Sequence, residues 1–67
     1  MELFNNTELC LIAEWCVERD IIPDRVTESE VRAACRSLGI KHRDYYDLYQ
    51  VKEISELMKS LIHQRAD

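Results

Sequence analysis

The sequence predicts an all-α protein: a small three-helix domain with a long C-terminal helix, paired in a homodimer. Three observations carry that expectation. The chain holds one Gly and one Pro in 67 residues and no alternating Val, Ile and Thr runs, so turn-rich β structure is disfavoured. Apolar residues recur at helical spacing in three stretches. Cap-forming residues punctuate those stretches.

The first helix is expected over about residues 7–20. Asn6 or Thr7 suits its N-cap, because a side-chain oxygen accepts from an otherwise unpaired N–H of the first turn. Glu8 follows, where the helix dipole favours an acid. Leu9, Ile12, Ala13, Cys16 and Val17 make the core stripe, and Leu11 and Trp15 form an i,i+4 pair outside it. Only Glu14 and Glu18 leave a narrow polar strip, so this helix is more apolar than a two-layer domain needs. Pro23 disfavours a helical Ile22 and cannot donate to the ladder, so the segment Ile21–Asp24 ends the helix. Ile21 to Val26 is the one plausible hinge.

The second helix is expected over about residues 28–38. Thr27-Glu28-Ser29-Glu30 reads as a capping box, and Val26 with Val31 fits a hydrophobic staple. Val31, Ala34, Cys35 and Leu38 share one face. Gly39 supplies a left-handed residue at the C-terminus, and Ile40 completes the cap with an apolar contact. Arg32 and Arg36 lie four apart on the other face.

The third helix is expected over about residues 45–65, with Asp44 as its cap and Asp47 in its first turn. At 1.5 Å per residue it reaches about 31 Å, longer than either helix that covers it. Leu48, Val51, Ile54, Leu57, Met58, Leu61 and Ile62 span roughly half its circumference, wider than a single core stripe. The surplus calls for another surface, and a second copy is the simplest one. Ile54, Leu57 and Leu61 are the expected self-association residues.

A chain of this length makes one domain, residues 1–67, and buries only about 60% of its unfolded surface. Pairing often supplements such a core. The composition, 46% hydrophobic and 33% charged, is that of a globular domain. The formal net charge of −4 is uneven. Residues 1–24 carry six acids against Arg19, residues 25–43 five bases against Glu28 and Glu30, and residues 44–67 five acids against three bases. This basic band between acidic ends can orient a partner or a second copy. The N-terminal residues lack the basic and apolar regions of a signal peptide, and no apolar run approaches a membrane span. Three cysteines, Cys10, Cys16 and Cys35, do not make a disulfide framework, so a cytoplasmic protein with free thiols and no membrane contact is expected.

Five functional classes bear on these residues. Zinc needs paired ligands at short spacing; Cys10 and Cys16 are six apart on different sides of one helix, and Cys35 with His42 lacks two partners, so no metal or cofactor is expected. Cys35, His42 and Asp44 mimic a Cys–His nucleophile on paper, but Cys35 points inward and a small chain leaves little room for a cleft, so no enzyme is expected. A nucleic-acid mimic would need a denser single-sign field. The remaining two are binding functions. The favoured one is a small regulatory protein that binds and modulates a partner protein through exposed aromatics, with Leu11, Trp15, Tyr46, Tyr49 and Leu57 in contact. The alternative is a helix-turn-helix DNA-binding regulator with Gly39 in the turn and Arg32, Arg36, Lys41, His42 and Arg43 on phosphates. Against it stand Asp44 and Asp47 at the start of the reading helix and a pI of about 5.1.

Overall fold

The computed structural model describes residues 4–41 and 48–65. Among them the structure is all-helical: α1 Asn6–Glu18, a 3-10 turn Pro23–Arg25, α2 Glu28–Leu38 and α3 Leu48–Arg65. The three-helix expectation holds. The cap expected at Asp44 and the first-turn acid expected at Asp47 lie outside the described residues. From Leu48 to Arg65 the last helix is continuous.

The N-terminus of α1 differs from expectation by one residue. Asn5 is the cap: its Oδ1 accepts the Glu8 N–H at 2.8 Å, and the Glu8 carboxylate accepts the Asn5 N–H at 3.0 Å. The reciprocal pair satisfies two backbone donors, which a cap at Asn6 or Thr7 would not arrange here.

The C-terminus of α1 departs further. The helix stops at Glu18, before Pro23 can act, because Asp20 adopts the left-handed conformation at φ 59°. The Asp20 N–H then reaches the Val17 carbonyl at 3.1 Å and the Ile21 N–H reaches that of Cys16 at 3.1 Å. This is the Schellman pattern normally built on glycine. Asp is among the few other residues that tolerate it.

Pro23 has a different task. It starts the 3-10 turn, and its carbonyl accepts from Ser55 Oγ at 2.8 Å. Lys59 Nζ bonds Asp24 Oδ1 at 3.1 Å beside it, and that partner raises the lysine pKa. The segment expected to hinge is therefore fastened to α3 at two points.

Helix α2 follows the sequence closely. Thr27 and Glu30 form the capping box, with the Thr27 N–H and hydroxyl both given to the Glu30 carboxylate. Those bonds lower the Glu30 pKa. Gly39 closes the helix at φ 72°, and the Ile40 N–H reaches the Cys35 carbonyl at 3.0 Å. Leu38, expected on the core face, is 37% exposed, because it sits on the final turn where the covering layer ends.

The core collects Phe4, Leu9, Ile12, Ala13, Cys16, Val31, Ala34, Cys35, Ile54 and Met58. Its most extensive packing is α1 on α3. These two helices run in the same direction: Phe4 meets Gln50 at one end, while Val17 and Ile62 line a common cleft near the other. Gln50 is buried, and its carboxamide bonds both the N–H and the carbonyl of Phe4. A buried amide so paired avoids the cost of an unsatisfied polar group.

Candidate functional site: the groove between the first and last helices

Parallel packing of α1 on α3 leaves a long groove along one side of the pair. One half, about 510 Å³, is lined by Asn6, Leu9, Lys52, Glu53, Glu56 and Leu57. The other, about 210 Å³, is lined by Cys10, Glu14, Leu57, Ser60, Leu61 and Gln64. Leu57 belongs to both and joins them. Asn6, Cys10 and Glu14 recur every four residues, so they form one wall along α1. The floor is apolar, from buried Leu9 and half-buried Leu57 and Leu61.

The rim is acidic. Glu14, Glu53 and Glu56 face one base, Lys52. Four other carboxylates have structural partners: Glu8 closes the α1 cap, Asp24 holds Lys59, Glu28 holds Arg32 at 2.7 Å, and Glu30 closes the α2 cap. Among the described residues Glu14 and Glu53 have no hydrogen bond or ion pair. Glu56 acts only at longer range, as a minor contributor to the raised pKa of Lys59.

The expected contact residues do not form one patch. Leu57 is central to the groove. Leu11 and Trp15 each follow a groove-wall residue, Cys10 and Glu14, and so sit 100° further around α1. Leu11 is 40% exposed. Trp15 is half-buried against the core, and the Arg19 guanidinium covers its ring at 4.3 Å from the centroid. The indole is therefore less available than its sequence position implied, because a residue one turn later folds back over it. Tyr49 belongs to α3, but its side chain, like Tyr46, lies outside the described residues.

The self-association set needs one correction. Ile54 is 1% exposed inside the core of its own chain, so it has no surface to offer a second copy. Leu57 and Leu61 pack on that core and keep one side open to the groove. The last helix's apolar surplus is instead most exposed at Ile62, at 41%, which shares a cleft with the 55% exposed Ile22. Local spacing does not reveal this cleft, because Ile22 lies in the segment that ends α1 and Ile62 is 40 residues away on α3.

Of the basic residues, Arg32, Arg36 and Lys41 are exposed, and Arg32 pairs with Glu28. His42 and Arg43 lie outside the described residues, as do residues 44–47, where the second helix of a helix-turn-helix would begin. Among the described residues no three His, Cys, Asp or Glu side chains gather as metal ligands, and no helix is long and apolar enough to cross a membrane. Cys16 and Cys35 are buried and Cys10 is exposed, and none of the three is in a disulfide. Burial, helped by the nearby Glu30 charge, pushes the Cys16 pKa up to about 11. The chain matches no protein-family model, no curated protein and no solved structure among those compared.

Proposed function

We propose that this chain is a small regulatory binding protein, not an enzyme, that acts in the cytoplasm by engaging a partner protein. The observation that carries the reading is the α1–α3 groove: an apolar floor centred on Leu57 beneath carboxylates that have no hydrogen bond or ion pair among the described residues. An apolar centre with a charged rim is the usual anatomy of a protein-binding surface. Leu11 and the edge of Trp15 extend the contact around α1. Against a catalytic role, the Cys35 thiol is 1% exposed and the Cys16 thiol is held in its unreactive protonated form.

Affinity capture from a cell extract tests this, comparing wild type with Leu57→Glu and Trp15→Ser. Loss of one captured protein by Leu57→Glu, with the helical circular dichroism retained, is the expected result. Equal capture by wild type and Leu57→Glu removes the groove from consideration.

Pairing of two copies belongs to the same proposal. The exposed Ile22 and Ile62, between Asp20 and Arg65, offer an apolar centre flanked by opposite charges, which suits a self-complementary contact. Light scattering checks it: a concentrated sample that keeps the 8.0 kDa mass of one chain contradicts a dimer.

The DNA-binding reading retains one favourable observation. Arg36 and Lys41 are exposed and have no ion pair among the described residues. Anisotropy of a labelled DNA duplex at two salt concentrations decides it. Binding that falls steeply with salt and is lost in Arg36→Glu supports this reading, and no binding at low salt ends it.

A further inference from the structure

Resting on the partner-binding reading, we infer that the α1–α3 groove receives a basic amphipathic helix: apolar anchors at helical spacing over Leu9, Leu57 and Leu61, flanked by Lys or Arg facing Glu14, Glu53 and Glu56. Three features of the groove select this occupant. Its floor is apolar, so the occupant must bury a stripe of apolar side chains. Its rim carries three carboxylates to one ammonium, and none of the three has a hydrogen bond or salt bridge among the described residues. Glu8, Asp24, Glu28 and Glu30 are tied into caps and ion pairs, and Glu18 and Asp20, untied among the described residues, lie outside the groove, which gathers three untied carboxylates along one apolar floor. The third feature is length. Between Lys52 and Gln64 the groove follows α3 for about 18 Å, which accommodates roughly three turns of a partner helix. Nucleic acid and anionic lipid carry the wrong sign for this rim. A basic partner gains orientation and association rate from it.

The test uses two fluorescent synthetic peptides with the same leucine stripe at helical spacing, one with Lys and one with Glu at all flanking positions. Anisotropy is measured against the full chain. The Lys peptide is expected to bind, to weaken as salt rises, and to weaken about tenfold in the Glu53→Lys/Glu56→Lys double variant. Arg36→Ala, on α2, should leave the affinity unchanged. Both Glu positions are at the groove rim, so the double variant keeps the core, and its circular dichroism verifies that. Equal binding of the two peptides overturns the charge assignment, as does no binding of the Lys peptide or binding indifferent to the double variant. The wider partner reading fails separately, only if protein capture is indifferent to Leu57→Glu.

Discussion

The Gln50 side chain grips the backbone of Phe4 at two points, accepting its N–H at 3.2 Å through Oε1 and donating to its carbonyl at 3.1 Å through Nε2. The two residues are 46 positions apart, and this bridge fastens the segment before α1 to the start of α3. Gln50→Ala removes both of these buried bonds. The expected cost is about 2–3 kcal/mol from the two lost bonds. Urea unfolding measures it, and faster hydrogen exchange of the Phe4 amide localises it. An unchanged midpoint would mean that the bridge does not hold Phe4.

Two helix ends use left-handed residues, and their mutations should act in opposite directions. Gly39→Ala should cost about 1 kcal/mol. No atom lies within 4 Å of where the new Cβ would stand, so the loss is purely one of backbone conformation. Asp20 already bears a Cβ at φ 59°, and Asp20→Gly should raise the melting temperature slightly. A loss in Asp20→Gly would show that the carboxylate contributes more than the backbone strain costs.

Core and surface isoleucines of α3 should separate sharply. Ile54→Ala opens a cavity and should cost about 2–5 kcal/mol, enough to unfold much of so small a domain. Ile62→Ala removes a side chain that is 41% exposed, so the isolated chain should change little. Parallel denaturation curves compare the two. Similar losses would place Ile62 in the core as well.

Stability should decline at both ends of the pH range, for different groups. Cys16 has its folded pKa raised from 9.0 to about 11. Between those values the unfolded chain loses the thiol proton while the folded chain keeps it, so this contribution is present below pH 9 and is lost as pH rises toward 11. Glu30 has its folded pKa lowered by the Thr27 bonds, so its contribution is present above the ordinary carboxylate pKa and fades as pH falls through the folded value. Cys16→Ala should flatten the alkaline decline and Glu30→Gln the acid one. Thermal melts across pH measure both, and an alkaline limb unchanged in Cys16→Ala would assign it to another group.

Thiol labelling should follow burial. In the native chain Cys10 reacts, while Cys16 and Cys35 react only on unfolding, because both lie in the core. Mass spectrometry after a brief alkylation counts the labels. Rapid modification of all three would contradict the packed core.

Much of this fold was legible in the chain because its signals are local. The Thr27–Glu30 box, the Gly39 stop and the stripes Leu9–Cys16 and Val31–Cys35 each depend on residues within two or three turns of one another. Local spacing determines those features before any tertiary contact forms. Asp20 was harder to see, since a left-handed Asp has no composition signal of its own and Pro23 offered a more conspicuous stop.

What only the tertiary structure decided are relationships between distant segments. Periodicity showed that Ile54, Leu57 and Ile62 are apolar. It could not say that the parallel approach of α1 buries Ile54, leaves Leu57 in a groove and pushes Ile62 out beside Ile22. Gln50 is a polar residue in an amphipathic helix, and only Phe4, far away in sequence, supplies the partners that let it be buried. The acids likewise looked scattered. Packing distinguishes those spent on caps and ion pairs from Glu14, Glu53 and Glu56, because a carboxylate's role depends on what the fold brings within hydrogen-bonding distance. Sequence spacing alone carries no information on that distance.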